Sequence, residues 1–216
     1  MVRYRPPLKL SRSQRRLRYA GRKAIYGTVL ALVLGGMVLA DRAGLFGRPH
    51  EPDGPKYDGK TFKVVHAVDG DTIDIGLPDG KYNDTRIRLW GVDTPETKDP
   101  RKPGWVGFFG PEASEFTRKQ ALGKMVRIEL ASGRDSRDKY HRLLAWVYLP
   151  DGTLLNRTLV EQGYGYADPR FAHHLDREFK RLQAEAMNAH RGLWVNGPPA
   201  DMPDYYSQGH YKLPTK

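Results

Sequence analysis

From residue 60 onward the chain reads first as strands. Residues 61–68 and 72–77 are rich in β-branched positions and are split by an Asp-Gly pair, the mark of a hairpin. A second turn at Pro78-Asp79-Gly80 leads into Thr85-Arg86-Ile87-Arg88-Leu89-Trp90, where apolar and basic residues alternate. Strand side chains alternate in direction, so Ile87 and Leu89 share one face and Arg86, Arg88 and Trp90 share the other. Residues 98–110 form a Gly/Pro-rich loop with Trp105, Phe108 and Phe109, long enough to overhang a site. Pro111 then opens a helix over 111–121, with Ala113, Phe116, Thr117 and Gln120 on one face. Residues 124–130 and 142–149 supply two more strands. A helix over 153–162 stops at Gly163, and a last helix over 175–190 buries Leu175, Phe179, Leu182, Ala186 and Ala189 before Gly192. Five short strands and three helices predict an α+β domain built on a small closed barrel.

The N-terminal fifth has a different pattern. Nine Lys and Arg residues between Arg3 and Lys23 precede seventeen uncharged residues, 24–40. That run sits at the short end of the about 17 to 25 residues a spanning helix needs. Basic flanks stay cytoplasmic, so residues 1–23 are a cytoplasmic arm, 24–40 a transmembrane or signal helix, and everything beyond lies outside the cytoplasm. Two versions stay open, an uncleaved anchor and a signal peptide cut after Val38-Leu39-Ala40, which would make the protein secreted. The long apolar run and extended basic arm favour the anchor. Residues 41–59, broken by Gly44, Gly47, Pro49, Pro52, Gly54, Pro55 and Gly59, read as a linker, 60–195 as the domain, and 196–216 as an extended Pro- and Tyr-rich tail.

This division changes the meaning of the charge. The chain has 216 residues and a formal charge of +11, but residues 1–48 hold eleven Lys and Arg against one acidic residue, Asp41. The remaining residues are nearly neutral, 25 basic against 24 acidic. Bulk basicity therefore says nothing for nucleic-acid binding by the domain, and only local placement of charge can. The absence of cysteine excludes disulfides, thiolate chemistry and cysteine-based metal centres.

Local placement is dense between Asp69 and Thr97, where the carboxylates Asp69, Asp71, Asp93 and Glu96 stand with two guanidiniums, Arg86 and Arg88. Asp71 opens one strand and Asp93 closes a neighbouring one, so the two can approach in space. Close carboxylates repel unless a cation lies between them, and Ca²⁺ is a hard ion that takes carboxylate and carbonyl oxygens. A second basic cluster follows at Arg137-Asp138-Lys139-Tyr140-His141-Arg142. Arg137 and Lys139 read equally well as a solvated loop. Arg142 begins an apolar strand, and Tyr140 can offer a hydroxyl to a phosphate or a ring face to a base.

In order along the chain stand Asp69-Gly70-Asp71-Thr72, Arg88-Leu89, Val92-Asp93-Thr94-Pro95-Glu96-Thr97, Gly110-Pro111-Glu112-Ala113-Ser114, and Asp138-Lys139-Tyr140-His141-Arg142. This set resembles the staphylococcal nuclease, or thermonuclease, family. The resemblance implies an OB-fold barrel and a Ca²⁺-dependent phosphodiesterase that cuts DNA and RNA, single strands preferred, at the P–O5′ bond to leave 3′-phosphate ends. It implies that Asp71 and Asp93 give carboxylates and Thr94 its main-chain carbonyl to the ion. Arg88 would neutralise the phosphate, and Glu96 would orient or deprotonate the attacking water. Arg142 would hold the far side of the phosphate and the leaving oxygen, with Lys139 and Tyr140 binding substrate.

The chain departs from the family pattern in places. His141 stands where the family has glycine, Leu143 follows the arginine where the prototype has glycine, and the segment after Gly163 does not align. That leaves Tyr166 and Phe171 as candidates to stack on a base. His173-His174 lacks a second ligand pair at metal spacing and reads as helix-entry surface. Two alternatives to the enzyme remain, a tethered OB-fold that binds single strands without cutting and a structural envelope domain. A monomer is expected.

Overall fold

The computed structural model describes residues 23, 26–39, 52–98, 104–131, 136–196, 199–200 and 202–207. It falls into two compact units, Met1–Glu51 and Pro52–Lys216. In the first, residues 26–39 of the apolar run are helical (α1), with exposed side chains such as Leu32 and Leu39. Among the described residues no helix is long and apolar enough to cross a membrane. Most of the basic arm, Ala40 and residues 41–51 of the expected linker lie outside the described residues.

The second unit begins earlier than its periodicity suggested. Residues expected as linker form a short helix, α2 (Asp53–Tyr57), whose Tyr57 is fully buried and hydrogen-bonds to the Thr85 hydroxyl at 3.1 Å. Gly54 and Pro55 hide this helix from a periodicity search, because one turn is too short to show a repeat.

The barrel strands are β1 (Thr61–Asp69), β2 (Thr72–Ile75), β3 (Thr85–Leu89), β5 (Met125–Leu130) and β6 (Leu143–Tyr148). Two further two-residue strands, β4 (Val92–Asp93) and β7 (Tyr166–Ala167), pair with each other. The barrel closes in the order β1-β2-β3-β6-β5, antiparallel except where β3 runs parallel to β6. The fold is thus the expected five-stranded OB-type barrel with helices. Ile73, Ile75, Ile87, Leu89, Val126, Ile128, Leu143, Ala145 and Val147 all lie at 1% exposure or below, so one face of each strand fills the interior.

Three helices cover the barrel, α3 (Gly110–Ala121), α4 (Leu155–Glu161) and α5 (Asp176–Asn188). The buried face of α5 is Phe179, Leu182, Gln183 and Ala186, while Ala189, expected in the core, caps the helix at the surface. Asn156 of α4 is fully buried and ties three backbone groups together. Its Oδ1 accepts from Val147 N–H at 2.9 Å, and its Nδ2 donates to Trp90 O at 2.9 Å and Ala145 O at 3.0 Å. That clip fixes where the chain leaves β3 and enters β4.

The tail also departs from expectation. After a 3₁₀ turn (Gly192–Trp194), residues 204–207 form α6 (Asp204–Ser207). Tyr205 and Tyr206 pack with Tyr166, Ala186, Leu193 and Trp194 in a second core cluster, so this part of the tail folds back onto the domain. Apolar burial explains why: two adjacent aromatic rings remove more surface from water than a polar tail loses in freedom on ordering.

Candidate functional site

The β1–β2 turn builds the first half of the site. At Gly70 a Cβ would stand 2.6 Å from the Thr94 hydroxyl, so only glycine lets Thr94 close over the turn. Thr94 then donates to Asp71 Oδ2 from its backbone N–H at 2.8 Å and from its hydroxyl at 3.1 Å. The Thr72 hydroxyl donates to Asp71 Oδ1 at 3.0 Å, and Thr117 of α3 donates to Gly70 O at 2.5 Å. Asp71 is buried as a result, 4% exposed, with its orientation set from three elements.

Arg88 joins this half to the next. Its Nη1 meets Asp71 Oδ1 and its Nη2 meets Asp93 Oδ1, so a single guanidinium spans both carboxylates. The other oxygen of Asp93 accepts from the Tyr205 hydroxyl at 2.8 Å and lies 3.2 Å from Arg170 Nη2. Arg170 is itself held by Asp168 at 2.7 and 2.8 Å, beside Asp93 because β4 pairs with β7. Burial pushes the Asp93 carboxyl up, but the charges of Arg88 and Arg170 and the Tyr205 hydroxyl outweigh it and hold it below the usual carboxylate range.

Glu96 follows on a loop whose backbone is braced from behind. Gly107 N–H donates to Glu96 O at 3.0 Å, and a Cβ on Gly110 would fall 2.6 Å from that same oxygen. The loop expected to overhang the site thus supports it where described; residues 99–103 lie outside the described residues. The Glu96 side chain reaches the solvent, yet its carboxyl is pushed up to about 7. The protein withdraws solvent from it, Asp69 hydrogen-bonds to it and repels it, and Asp93 repels it too, against a smaller pull from Arg88.

The second basic cluster sits across a cavity of about 870 Å³ that Arg88, Asp93, Glu96, Tyr140, Arg142 and Arg170 line. The parallel register sets Arg88 beside Leu144, which puts Arg142, two residues upstream, on the Arg88 face of the sheet. Asp138 folds the intervening turn. It accepts from the backbone N–H of Tyr140 (2.9 Å) and of Arg142 (3.0 Å), and from Arg142 Nε at 2.7 Å, so the guanidinium is aimed rather than free. Lys139 and Tyr140 stand at the mouth, with the Lys139 ammonium 5.0 Å from the Tyr140 ring centre. Phe171, 46% exposed, lines the cavity and rests on Trp90 with ring centroids 5.2 Å apart.

Three readings need correction. Tyr166 is 1% exposed against Trp194 and Tyr206, and a buried ring has no face left for a base. Arg137 is no solvated side chain, since it pairs with Asp53 at 2.7 Å and Asp79 at 2.6 Å. His173 is half buried, edge-on to Trp146 and Phe179 at 5.2 and 5.3 Å, and burial lowers its pKa.

The structure therefore brings Asp71, Arg88, Asp93, Thr94, Glu96 and Arg142 around one region, with Lys139 and Tyr140 at its edge. The groups that accept from the Arg88 guanidinium are both carboxylate oxygens, and hard oxygen ligands suit a hard divalent cation better than a soft one. Among the described residues no group of three or more His, Cys, Asp or Glu could hold a metal. Two carboxylates and the Thr94 carbonyl fit such an ion only if water and substrate supply the rest.

Sequence reasoning gave no role to four residues here: Asp69, which helps keep a proton on Glu96; Asp138, which aims Arg142; and Arg170 and Tyr205, which hold Asp93. The last two carry no local signal beyond an aromatic pair in a polar tail.

A family model described as "Staphylococcal nuclease homologue" matches residues 86–196. The match includes every expected site residue except Asp71, and it stops short of Tyr205. Among similar proteins is a thermonuclease of Staphylococcus intermedius, 37% identical over 139 residues, 63% of this chain and 77% of the relative. A thermonuclease of Staphylococcus hyicus is 34% identical over 140 residues with the same coverage. Endonuclease YncB of Bacillus subtilis (strain 168) is 34% identical over 151 residues, 68% of this chain and 67% of the relative.

Proposed function

The chain belongs to the staphylococcal nuclease family, and on that footing we propose that it is a Ca²⁺-dependent endonuclease of DNA and RNA, preferring single strands and leaving 3′-phosphate ends. The observation that carries the reading is the convergence of Asp71 and Asp93 on Arg88, beside a cavity that also holds Glu96 and Arg142. Two carboxylates facing a polyanion weaken its binding, so a site that only binds nucleic acid gains nothing from them.

Asp71 Oδ1, Asp93 Oδ1 and the Thr94 carbonyl would hold Ca²⁺. Once bound, that ion supplies positive charge for the phosphate and the oxygen charge that grows during in-line displacement. Arg88 turns its guanidinium fork from the carboxylates toward a non-bridging phosphate oxygen. Arg142, aimed by Asp138, grips the opposite side and the leaving 5′ oxygen. Glu96 accepts a hydrogen bond from the attacking water and takes its proton as the P–O5′ bond breaks. Tyr140 and Phe171 give the exposed rings on which an unpaired base can rest, and Lys139 a charge for the backbone. A single strand offers both bases and phosphates to such a cavity, whereas a duplex keeps its bases stacked.

The expected location follows from the basic arm and the apolar run at 24–40, with the nuclease unit outside the cytoplasm, held to the membrane or secreted after cleavage. There, calcium is plentiful and the cell's own DNA is out of reach.

The test is release of acid-soluble nucleotides from heat-denatured DNA by the full chain, with Ca²⁺ and with chelator, beside Glu96→Gln. Cleavage should require Ca²⁺ and fall about 10²- to 10⁴-fold in the variant while DNA binding persists. Binding of single strands without cleavage by either protein sinks the enzyme and leaves a non-catalytic binding module.

A further inference from the structure

Asp93 is gripped on both of its oxygens, and the two grips differ in origin. Oδ1 meets Arg88, carried on the outer face of barrel strand β3. Oδ2 meets the Tyr205 hydroxyl, 112 residues away in sequence and beyond the span that matches the family. A carboxylate on its own turns freely about its last torsion, where the energy wells are broad. A hydroxyl donor fixed in a second core cluster removes that freedom. Tyr205 is well placed for this, since it is 9% exposed, its ring lies 4.9 Å from Tyr206, and the Arg170 guanidinium stacks over it at 4.6 Å. Arg170 reaches the same oxygen of Asp93 at 3.2 Å, so the tail hydroxyl and this guanidinium act on one atom.

We propose that Tyr205 is a positioning residue for cation binding: it holds Asp93 Oδ2 so that Oδ1 stays turned toward Asp71 Oδ1, and the C-terminal segment thereby completes the ion site. The proposal rests on the nuclease reading, in which Asp71 and Asp93 are the carboxylates that take Ca²⁺. It assigns a task to a stretch that sequence periodicity left without one. It also explains why a polar tail carries two adjacent tyrosines, because the two divide the work. Tyr206 donates to Ala167 O at 2.9 Å and braces β7, whereas Tyr205 reaches past β7 to Asp93.

The experiment is calorimetric titration of the full chain with Ca²⁺ in the absence of nucleic acid, for wild type, Tyr205→Phe, Tyr206→Phe and Arg170→Gln. Phenylalanine keeps the ring against Tyr206 and Arg170 and removes only the hydroxyl. Loss of a partner that orients a metal ligand weakens metal binding about 10- to 100-fold, and Tyr205→Phe should fall at the lower end. Its cleavage of denatured DNA should recover as Ca²⁺ is raised, and its Tm in chelator should match wild type. Arg170→Gln takes a positive charge away from Asp93 and so should not weaken Ca²⁺ binding as Tyr205→Phe does, and Tyr206→Phe should leave Ca²⁺ affinity unchanged. Wild-type affinity in Tyr205→Phe, or a loss shared equally with Tyr206→Phe, overturns the proposal while the nuclease reading stands. A wild type that neither binds Ca²⁺ saturably nor cuts overturns both.

Discussion

Arg88 and Arg137 each hold two carboxylates, and the two knots have different fates. Arg137 meets Asp53 at 2.7 Å and Asp79 at 2.6 Å, with Lys56 3.9 Å from Asp79. Its partners lie 84 and 58 residues away, so it staples α2 and the β2–β3 turn to the loop before β6. Cations match carboxylates there, and nothing is left over to attract a ligand. Around Arg88 the balance is reversed. Arg88 and Arg170 face Asp71, Asp93 and Asp168, with Asp69 and Glu96 alongside. Both arginines line the cavity, so what separates the two knots is charge: matched at Arg137, which braces, and in carboxylate excess at Arg88, which forms the site.

The sharpest way to break this comparison is to remove each arginine in turn. Arg88→Gln should lower cleavage about 10²- to 10³-fold. It should also enlarge the rise in Tm that Ca²⁺ produces, because Asp71 and Asp93 are left with less positive charge. Arg137→Gln should cost roughly 3 kcal/mol of stability, since it takes the guanidinium away from the buried Asp53. Ca²⁺ should not restore that loss, and cleavage per folded molecule should stay within a few-fold of wild type. Thermal melts with and without Ca²⁺, beside the nuclease assay, read both. If Ca²⁺ rescues Arg137→Gln as well as it rescues Arg88→Gln, the distinction between brace and site is wrong.

A smaller effect tests the excess of carboxylate. The Glu96 carboxyl is held up to about 7 against an ordinary value of 4.5. Between these values the folded protein keeps a proton that the unfolded chain has lost, so stability falls as pH rises from about 4.5 to about 7. In chelator, Tm measured across that range should slope less in Glu96→Gln than in wild type. An identical slope in both removes Glu96 as the cause.

The smallest effect on cleavage belongs to Arg86, two residues from Arg88 on the same strand face. It pairs with Asp74 at 2.8 Å, one charge to one, with its side chain 52% exposed. Asp74 is itself 6% exposed, so Arg86→Ala should lower Tm by taking the guanidinium from a buried carboxylate, and should leave cleavage unchanged. A loss of cleavage as large as that of Arg88→Gln would mean that the whole face, rather than the knot, binds substrate.

Much of this was legible along the chain. The alternation at 85–89 put Ile87 and Leu89 inside and Arg86 and Arg88 outside. Trp90 lines the same cavity as Arg88 and is 7% exposed, with Phe171 resting on its ring. Gly163 and Gly192 marked helix ends for an equally local reason, a positive φ. Arg142 was found because it abuts an apolar strand, but Asp138, which aims it, looked like one more loop charge.

The sequence by itself determined the barrel strands, the covering helices and the residue types at the site, because periods of 2 and 3.6 and the placement of glycine, proline and charge are local properties of a chain. Only the tertiary structure decided which arginine is matched by its carboxylates and which stands among an excess of them, that α2 belongs to the core, and that Tyr205 reaches Asp93. Those outcomes depend on groups 58 to 112 residues apart that meet after the barrel closes, and no periodicity records such a meeting.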